Sequence, residues 1–338
     1  MPDRGAIDVA WLTSWADAPI TLPAPGAEGP DSALLALHRP EAHGIAIAGG
    51  RVLARCSLWT DGTVRLEGEP VGVIGHFAAA AGADTAVRLL LDAATARAHS
   101  AGLTRVIGPM DGNTWRRHRF ITERGAEPLF FLESDNPDAW PDWWRAAGFT
   151  PLASFFSAMA TDLARPDDRV PRARARLEAA GLVLRPLRPD RLGEELRKIH
   201  ALSLESFARN FLYVPIGEEE FVGQYRAVAS TVRPEFVQLA ELNGELAGFL
   251  FAIPDLAQAA RGEPVTSLVL KTLAIRPGRQ FAGLGAVLNA IVQESAHRAG
   301  FRRIIHAYMH EHNSSLNLSA HSARVFRRYT LFARSTAA

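Results

Sequence analysis

Two distant stretches of the chain place their hydrophobic residues in the same rhythm. One reads IGHFAAAAGADTAVRLLLDAATARAHSAGLTRVI, from Ile74 to Ile107; the other reads TLAIRPGRQFAGLGAVLNAIVQESAHRAGFRRII, from Thr272 to Ile305. They align without a gap at an offset of 198. Ala86, Leu89, Leu90, Ala93 and Ala94 then fall on Leu284, Val287, Leu288, Ile291 and Val292. That i, i+3, i+4, i+7, i+8 spacing predicts one buried helix face in each stretch. Ala-Gly ends each helix, at Ala101-Gly102 and Ala299-Gly300, where glycine takes a left-handed cap. An apolar strand follows each, TRVIG or RRIIHAYM. A strand–helix–strand unit present twice predicts an α/β protein with a mixed sheet and a tandem duplication. Two copies are too few for a solenoid.

Other elements extend the second unit. FVQLAELNGELAGFLFAIP reads as two antiparallel strands joined at Asn243-Gly244, a favoured hairpin turn. LVLRPL supplies a strand before it, and LGEELRKIHALSLESF a helix. The polar run of residues 160–182, with two prolines, separates SFFSAM from LVLRPL. It sets a first domain at 1–165, a linker at 166–180 and a second domain at 181–338. ITLPAPGAEGPDS is rich in proline and glycine and reads as a surface loop.

Length agrees with this division, since 338 residues suit two domains of about 150 each. A formal net charge of +1 gives no overall field toward nucleic acid or an anionic membrane. No apolar run reaches the roughly 20 residues of a membrane span, and the N-terminus lacks a signal-type apolar core. Cys56 is the single cysteine, so no internal disulfide forms. A cytoplasmic protein, monomeric or homodimeric, with neither nucleic-acid nor membrane partners is the expectation.

Between SLVLKTLAI and LNAIVQESAHRAG lies Arg276-Pro-Gly-Arg-Gln-Phe-Ala-Gly-Leu-Gly-Ala286. A strand, a glycine-rich bend and a helix in that order expose backbone N–H groups that bind anions. At the aligned positions the first copy has Thr85 and Val87 instead of Gly283 and Gly285, which predicts one anion site per chain. A dinucleotide motif fails, because the third glycine position is Leu288 and Ile304 or Ile305 stands where an acidic residue belongs. The P-loop pattern G-x-x-x-x-G-K-[ST] is absent.

Gln280-Phe-Ala-Gly283-Leu-Gly285, after a strand ending near a proline and opening a helix, resembles the GNAT superfamily of acyl-CoA-dependent N-acyltransferases. The resemblance covers about residues 181–334. The first half resembles a degenerate copy, with GPMDGNTWRRHR, FFLESDNP and WWRAAGF similar to motifs of tandem GNAT proteins. It implies that Gln280, Phe281, Ala282, Gly283, Leu284 and Gly285 surround the CoA pyrophosphate, with the N–H groups of 281–285 as donors. It also implies that Leu273 and Ile275 pair with the pantetheine amides where their strand splays from Arg303–Met309, and that Asn313 lies beside the cofactor. Acetyl-CoA or another acyl-CoA is the implied co-substrate, with no metal.

Members of the superfamily place a carboxylate on the strand before the turn and a tyrosine after the next helix. This chain offers Lys271 and Thr272, with no acidic residue between Pro264 and Gln280. The segment Tyr-x-x-x-Gly-Phe is missing from the second half, although Trp144–Phe149 keeps its shape in the first. Candidates for the chemistry lie instead on HAYMHEHN, where His306, Tyr308 and His310 share one face of a strand. Tyr308 is the expected acid for the thiolate and His310 the base for the amine; both also fit half-buried strand residues. Tyr329 is a second candidate acid. His306, His310, His312 and His321 invite a zinc reading that no cysteine supports. GNTWRRHR gathers Asn113, Trp115, Arg116, Arg117 and Arg119 after a strand, either as grip for an acidic acceptor or as a solvated basic turn. The expected function is transfer of an acyl group to a small-molecule amine, the first half shaping the acceptor pocket. A non-catalytic acyl-CoA-binding or scaffold protein is the alternative.

Overall fold

The computed structural model describes residues 6–15, 22, 36–311 and 323–337. In chain order the first half contributes β1 (Asp8–Leu12), β2 (Ala42–Ala48), β3 (Arg51–Trp59), a small β4–β5 ribbon (Arg65–Leu66, Glu69–Pro70) and β6 (Gly72–Ala79). After these come α1 (Asp84–Ser100), β7 (Arg105–Gly108), β8 (Phe120–Glu123), α2 (Ala139–Ala146) and β9 (Thr150–Ala160). The second half begins with α3 (Val170–Ala179), β10 (Leu182–Pro186), α4 (Leu192–Phe207) and α5 (Glu218–Arg226). It continues with β11 (Val237–Leu242), β12 (Glu245–Pro254), α6 (Leu256–Ala260), β13 (Ser267–Ile275), α7 (Leu284–Arg298), β14 (Arg303–His310) and β15 (Ala323–Ser335).

Among the described residues thirteen strands form one mixed sheet, ordered β1-β2-β3-β6-β7-β15-β9-β14-β13-β12-β11-β10, with β8 beside β15. The two parallel contacts are β6 with β7 and β13 with β14, each the strand pair that flanks a repeated helix. The expected hairpin is present, with Asn243 and Gly244 at φ of 53° and 82°. The centre of the sheet is an exchange. β15, the last strand of the chain, pairs with β7 of the first half, and β9 of the first half pairs with β14 of the second. β9 and β15 also pair with each other along their length. A sequence cut near residue 170 therefore separates strands that are hydrogen-bonded neighbours.

Burial on the repeated helices follows the predicted stripes with one shift. In α7, Leu284, Val287, Leu288 and Val292 are buried as the spacing predicts, while Ile291 is half-buried. In α1 the buried stripe is Ala86, Val87, Leu90, Leu91 and Ala94, while Leu89 and Ala93 sit at its margin. That stripe packs into a cluster with Phe77, Phe120, Trp140 and Trp144, so α2 as well as the sheet covers α1.

The gapless alignment needs one correction. Val73 pairs with Ile107, and Val269 pairs with Ile305. The strands before the helices are thus offset by 196 and the strands after them by 198. The loop entering α7 (276–283) is four residues longer than the loop entering α1 (80–83), while α7 is two residues shorter than α1, so the extra length of the crossover falls at the glycine turn.

Candidate active site

β13 and β14 run side by side from Ser267 with Arg303 to Leu270 with His306, and pairing stops there. Both lips of the resulting splay carry a bulge. On β13, Leu270 pairs with Ala252 and Thr272 with Phe251, leaving Lys271 as the extra residue. On β14, His306 pairs with Ala158 and Met309 with Phe156, and Tyr308 in between has φ 59°. A bulge re-aims side chains and resets which backbone groups face the neighbour. Lys271 and Tyr308 consequently face each other, Nζ lying 4.5 Å from the ring centroid. Beyond the Lys271 bulge the free edge of β13 carries Leu273 and Ile275. Ser206 of α4 already serves the latter: its hydroxyl donates to the Ile275 carbonyl at 2.9 Å and accepts from the Ile275 N–H at 3.2 Å.

The turn that follows is built around Gly283, at φ 80°, which caps α7. Its left-handed backbone disfavours any Cβ, and an ideal Cβ there would lie 2.9 Å from the Ala173 methyl of α3. Arg176, also on α3, donates to the carbonyls of Gln280, at 3.1 Å, and Ala282. Phe281 is buried, whereas Gln280, Ala282 and Gly283 are exposed. The expected donor set is corrected in part, because the N–H groups of Phe281 and Ala282 bond to the carbonyls of Gly278 and Arg279 in a short turn. The first intrahelical bond of α7 runs from Val287 to Gly283. Leu284, Gly285 and Ala286 are the positions whose N–H groups have no acceptor within a helix.

In the first half the equivalent splay is filled by the chain itself. Met110 donates its N–H to the Ile74 carbonyl at 2.9 Å, and the His76 N–H donates to the Asp111 carboxylate at 2.5 Å. The backbone passes so close that a Cβ on Gly75 would meet the Met110 carbonyl oxygen at 2.1 Å. Val87, at the position of the second glycine, is buried in the core.

Between the halves opens a cleft of about 1380 Å³. Lys271, Thr272, Ala307 and Tyr308 bring the β13–β14 splay to its wall, and His38, His76, Trp115 and Arg119 line it from the first half.

No protein-family model matches the chain, and no curated protein sequence does. Solved structures do match. A GCN5-related N-acetyltransferase from Anabaena variabilis has a TM-score of 0.53 at 13% identity, over 92% of this chain and 67% of that one. Another from Sphaerobacter thermophilus has a TM-score of 0.50 at 14% identity, over 87% and 80%. A GCN5-related glucosamine N-acetyltransferase region of a fungal multi-domain GH3 beta-N-acetylglucosaminidase has a TM-score of 0.52 at 13% identity, over 89% of this chain. The chain spans 34% of that fungal protein. The fold is that of the GCN5-related N-acetyltransferases.

Within this GNAT fold Tyr308 is held on all sides. Its hydroxyl donates to the Leu132 carbonyl at 3.2 Å, and its ring lies 4.5 Å from the Arg119 guanidinium. Burial, with the Glu133 carboxylate adding to it, pushes its pKa up, so the phenol is protonated at neutral pH. Lys271 is brought down to about 7 by burial and by Arg119. His310 lines the cleft with its ring 4.9 Å from Phe155 and 5.4 Å from Phe211. The shared face expected for His306, Tyr308 and His310 is not kept. The β14 bulge breaks the alternation, and His306 is buried away from the cleft, its pKa lowered to about 4 by burial.

Tyr329 is 2% exposed and its hydroxyl bonds to Glu133 and, at 2.9 Å, to Ser157. Glu133 also pairs with Arg327, both fully buried. This ties Tyr329 into an internal network where β15 meets β9. Asn113 is buried and accepts the Trp115 N–H at 3.0 Å, which makes it a turn residue and not part of the cleft wall. Trp115 lines the cleft while its indole N–H donates to the Val214 carbonyl at 2.7 Å. Arg116 is paired with Glu220 at 2.6 Å, and Arg117 donates to the Asp135 carbonyl. Asn313, His312 and His321 lie outside the described residues.

A cluster that the sequence reading missed runs inward from the first-half wall of the cleft, which its His38 and His76 line. Hydrogen bonds of 2.8–2.9 Å link His38 to His76, His76 to Ser57 and Ser57 to His43. Burial lowers the pKa of His76 to about 3 and those of His38 and His43 to about 4, so all three rings are neutral at pH 7. The residues are 14 to 38 apart in sequence, and no local spacing could have grouped them.

Proposed function

We propose that the protein transfers an acyl group from acyl-CoA, acetyl-CoA being the simplest donor, to the amine of a small-molecule acceptor. CoA occupies the second half and the acceptor enters the cleft between the halves. One observation carries this reading: the strand splay that leads from the Gly283 turn opens into the cleft through Lys271 and Tyr308. A pantetheine arm laid beside Leu273, on the part of the β13 edge that Ser206 does not occupy, would deliver its thioester to those two side chains. The pyrophosphate would meet the N–H groups at the start of α7, where the helix dipole favours negative charge.

In the reaction the acceptor nitrogen attacks the thioester carbon, the C–S bond breaks, and CoA leaves as a thiolate. Tyr308 supplies a proton to the sulfur, exchanging its present acceptor, the Leu132 carbonyl, for the thiolate. His310 takes the proton lost by the amine. Solvent in the open cleft returns that proton to the phenolate, so the cycle closes without a further reactant.

The strand before the turn carries Lys271 and no carboxylate, which favours a second reading, acyl-CoA binding without turnover. A thiol-release assay with acetyl-CoA and a panel of primary amines separates the two. Release that depends on both substrates supports transfer. Saturable acetyl-CoA binding with no release on any amine would establish the second reading.

A further inference from the structure

We propose that Arg119 and Lys271 form a subsite for a carboxylate carried by one of the two substrates, where the thioester path meets the acceptor cleft. The identity of that substrate rests on the acyl-transfer reading above; the anion site itself does not. Arg119 reaches this point from the first half. Its guanidinium lies 4.3 Å from the Phe155 ring and 4.5 Å from the Tyr308 ring. Among the described residues its guanidinium makes no hydrogen bond and no ion pair. Lys271 approaches the Tyr308 ring from the second half, and its one hydrogen bond is a long one, 3.4 Å to the Leu132 carbonyl.

Two basic side chains thus lie against one aromatic ring without a counter-ion, and a bound carboxylate would hold Lys271 in its charged form. Nearby carboxylates are committed elsewhere: Glu133 to Arg327 and Tyr329, Glu220 to Arg116, and Asp111 to the His76 N–H. Both side chains are half-buried in the cleft wall; a partly desolvated charge without a partner is unfavourable, and such groups in a cleft concentrate at functional sites. Burial already lowers Arg119 to about 10, in line with a charge that lacks a partner.

The backbone points the same way. Arg119, Leu132 and Tyr308 have φ of 74°, 63° and 59°, and all three meet at this spot. Non-glycine residues held at positive φ concentrate where a fold positions groups for function. The ligand is better matched by a carboxylate than by a phosphate. The walls are flat aromatic rings, a guanidinium fork takes a planar carboxylate through two parallel bonds, and Lys271 adds a single point charge.

The carboxylate has two sources, the acyl chain of the donor or the acceptor, and the full-length chain can be tested for each. In the donor arm, succinyl-CoA is compared with acetyl-CoA on the same amines; in the acceptor arm, α-amino acids are compared with their amides. We expect a preference of about 10–100-fold in kcat/KM for the carboxylate in one arm, the scale of hydrogen bonds to a charged group. That preference should vanish in Arg119→Met and survive in part in Arg119→Lys. A third arm needs no turnover. Succinate, but not succinamide, should raise the melting temperature of the wild type and leave that of Arg119→Met unchanged. Removing an unpaired charge should leave Arg119→Met at least as stable as the wild type.

Thiol release with no preference in either arm would overturn the subsite and leave the transfer reading standing. If no pair releases thiol, the melting arm decides, and equal effects of succinate and succinamide would overturn the proposal. Stronger stabilisation by inorganic phosphate than by succinate would overturn the carboxylate assignment.

Discussion

Replacing Gly283 by alanine puts one methyl group into two conflicts. The residue has φ 80°, where an L-residue with a Cβ costs about 1–2 kcal/mol. The new Cβ would also lie 2.9 Å from the Ala173 methyl, inside the ~3.5–4.0 Å at which carbon atoms attract. Overpacking of this kind costs about 1–3 kcal/mol, because α3 must move back from α7. The two contributions can be separated. Ala173→Gly removes the steric part and leaves the backbone part. Because glycine inside α3 itself costs about 1 kcal/mol, the comparison is made in that background. There Gly283→Ala should cost only about 1–2 kcal/mol of the total of about 2–5 kcal/mol. Urea unfolding of the four proteins reads stability, and calorimetry with CoA reads the site. We expect Gly283→Ala to weaken CoA at least about tenfold, because the amides of Leu284 and Gly285 are aimed by this cap. The reasoning is wrong if Gly283→Ala binds CoA within twofold of the wild type and loses less than about 0.5 kcal/mol. It is also wrong if Gly283→Ala costs as much in the Ala173→Gly background as in the wild type.

Tyr308→Phe should lower kcat at least about tenfold with CoA affinity kept, the range of a lost general acid; unchanged steady-state kinetics would remove Tyr308 from the chemistry. Acid should destabilise the fold through His38, His43 and His76. Their folded pKa values of about 4, 4 and 3 lie below 6.5, so the unfolded chain takes up protons first. Stability is then full above pH 6.5 and lost as pH falls toward 4, by about 2 kcal/mol for His76 alone at pH 5 and less for the more open His38. A urea midpoint that stays level between pH 7.5 and 5 contradicts this. Arg327→Met should cost about 3–5 kcal/mol by stranding the buried Glu133, and Glu133→Leu in the same chain should recover part of it; additive losses in the double variant would mean the two do not interact.

How much the sequence revealed depended on how far apart the interacting residues lie. Within one helix or hairpin the pattern is enough: the α7 stripe, the Asn243-Gly244 turn and the glycine cap were all legible from spacing. The exchange of β9 and β15 was not, because nothing within strand 150–160, or within the arginine-bearing strand 323–335, names the strand of the other half that it pairs with. Bulges were equally hidden. Nothing in KTLAI or HAYMH marks Lys271 and Tyr308 as extra residues, since a bulge is defined by the partner strand. That is why a strict alternation placed His306 in the site and the structure removes it. The gapless repeat also concealed the difference at the turn, because the loop entering α7 is longer while α7 itself is shorter than α1. Arg119 was visible as part of a basic cluster, but which of its arginines remains unpaired depends on Glu220 and Asp135, which lie 104 and 18 residues from their partners.

The most direct test of the account is calorimetric titration of the full chain with acetyl-CoA. One site per chain is the expected result, because Gly283 leaves the start of α7 open, whereas Val87 is buried and Met110 and Asp111 occupy the first half's splay. Two equivalent sites, or no binding at all, would contradict the assignment of a single acyl-CoA site to the second half.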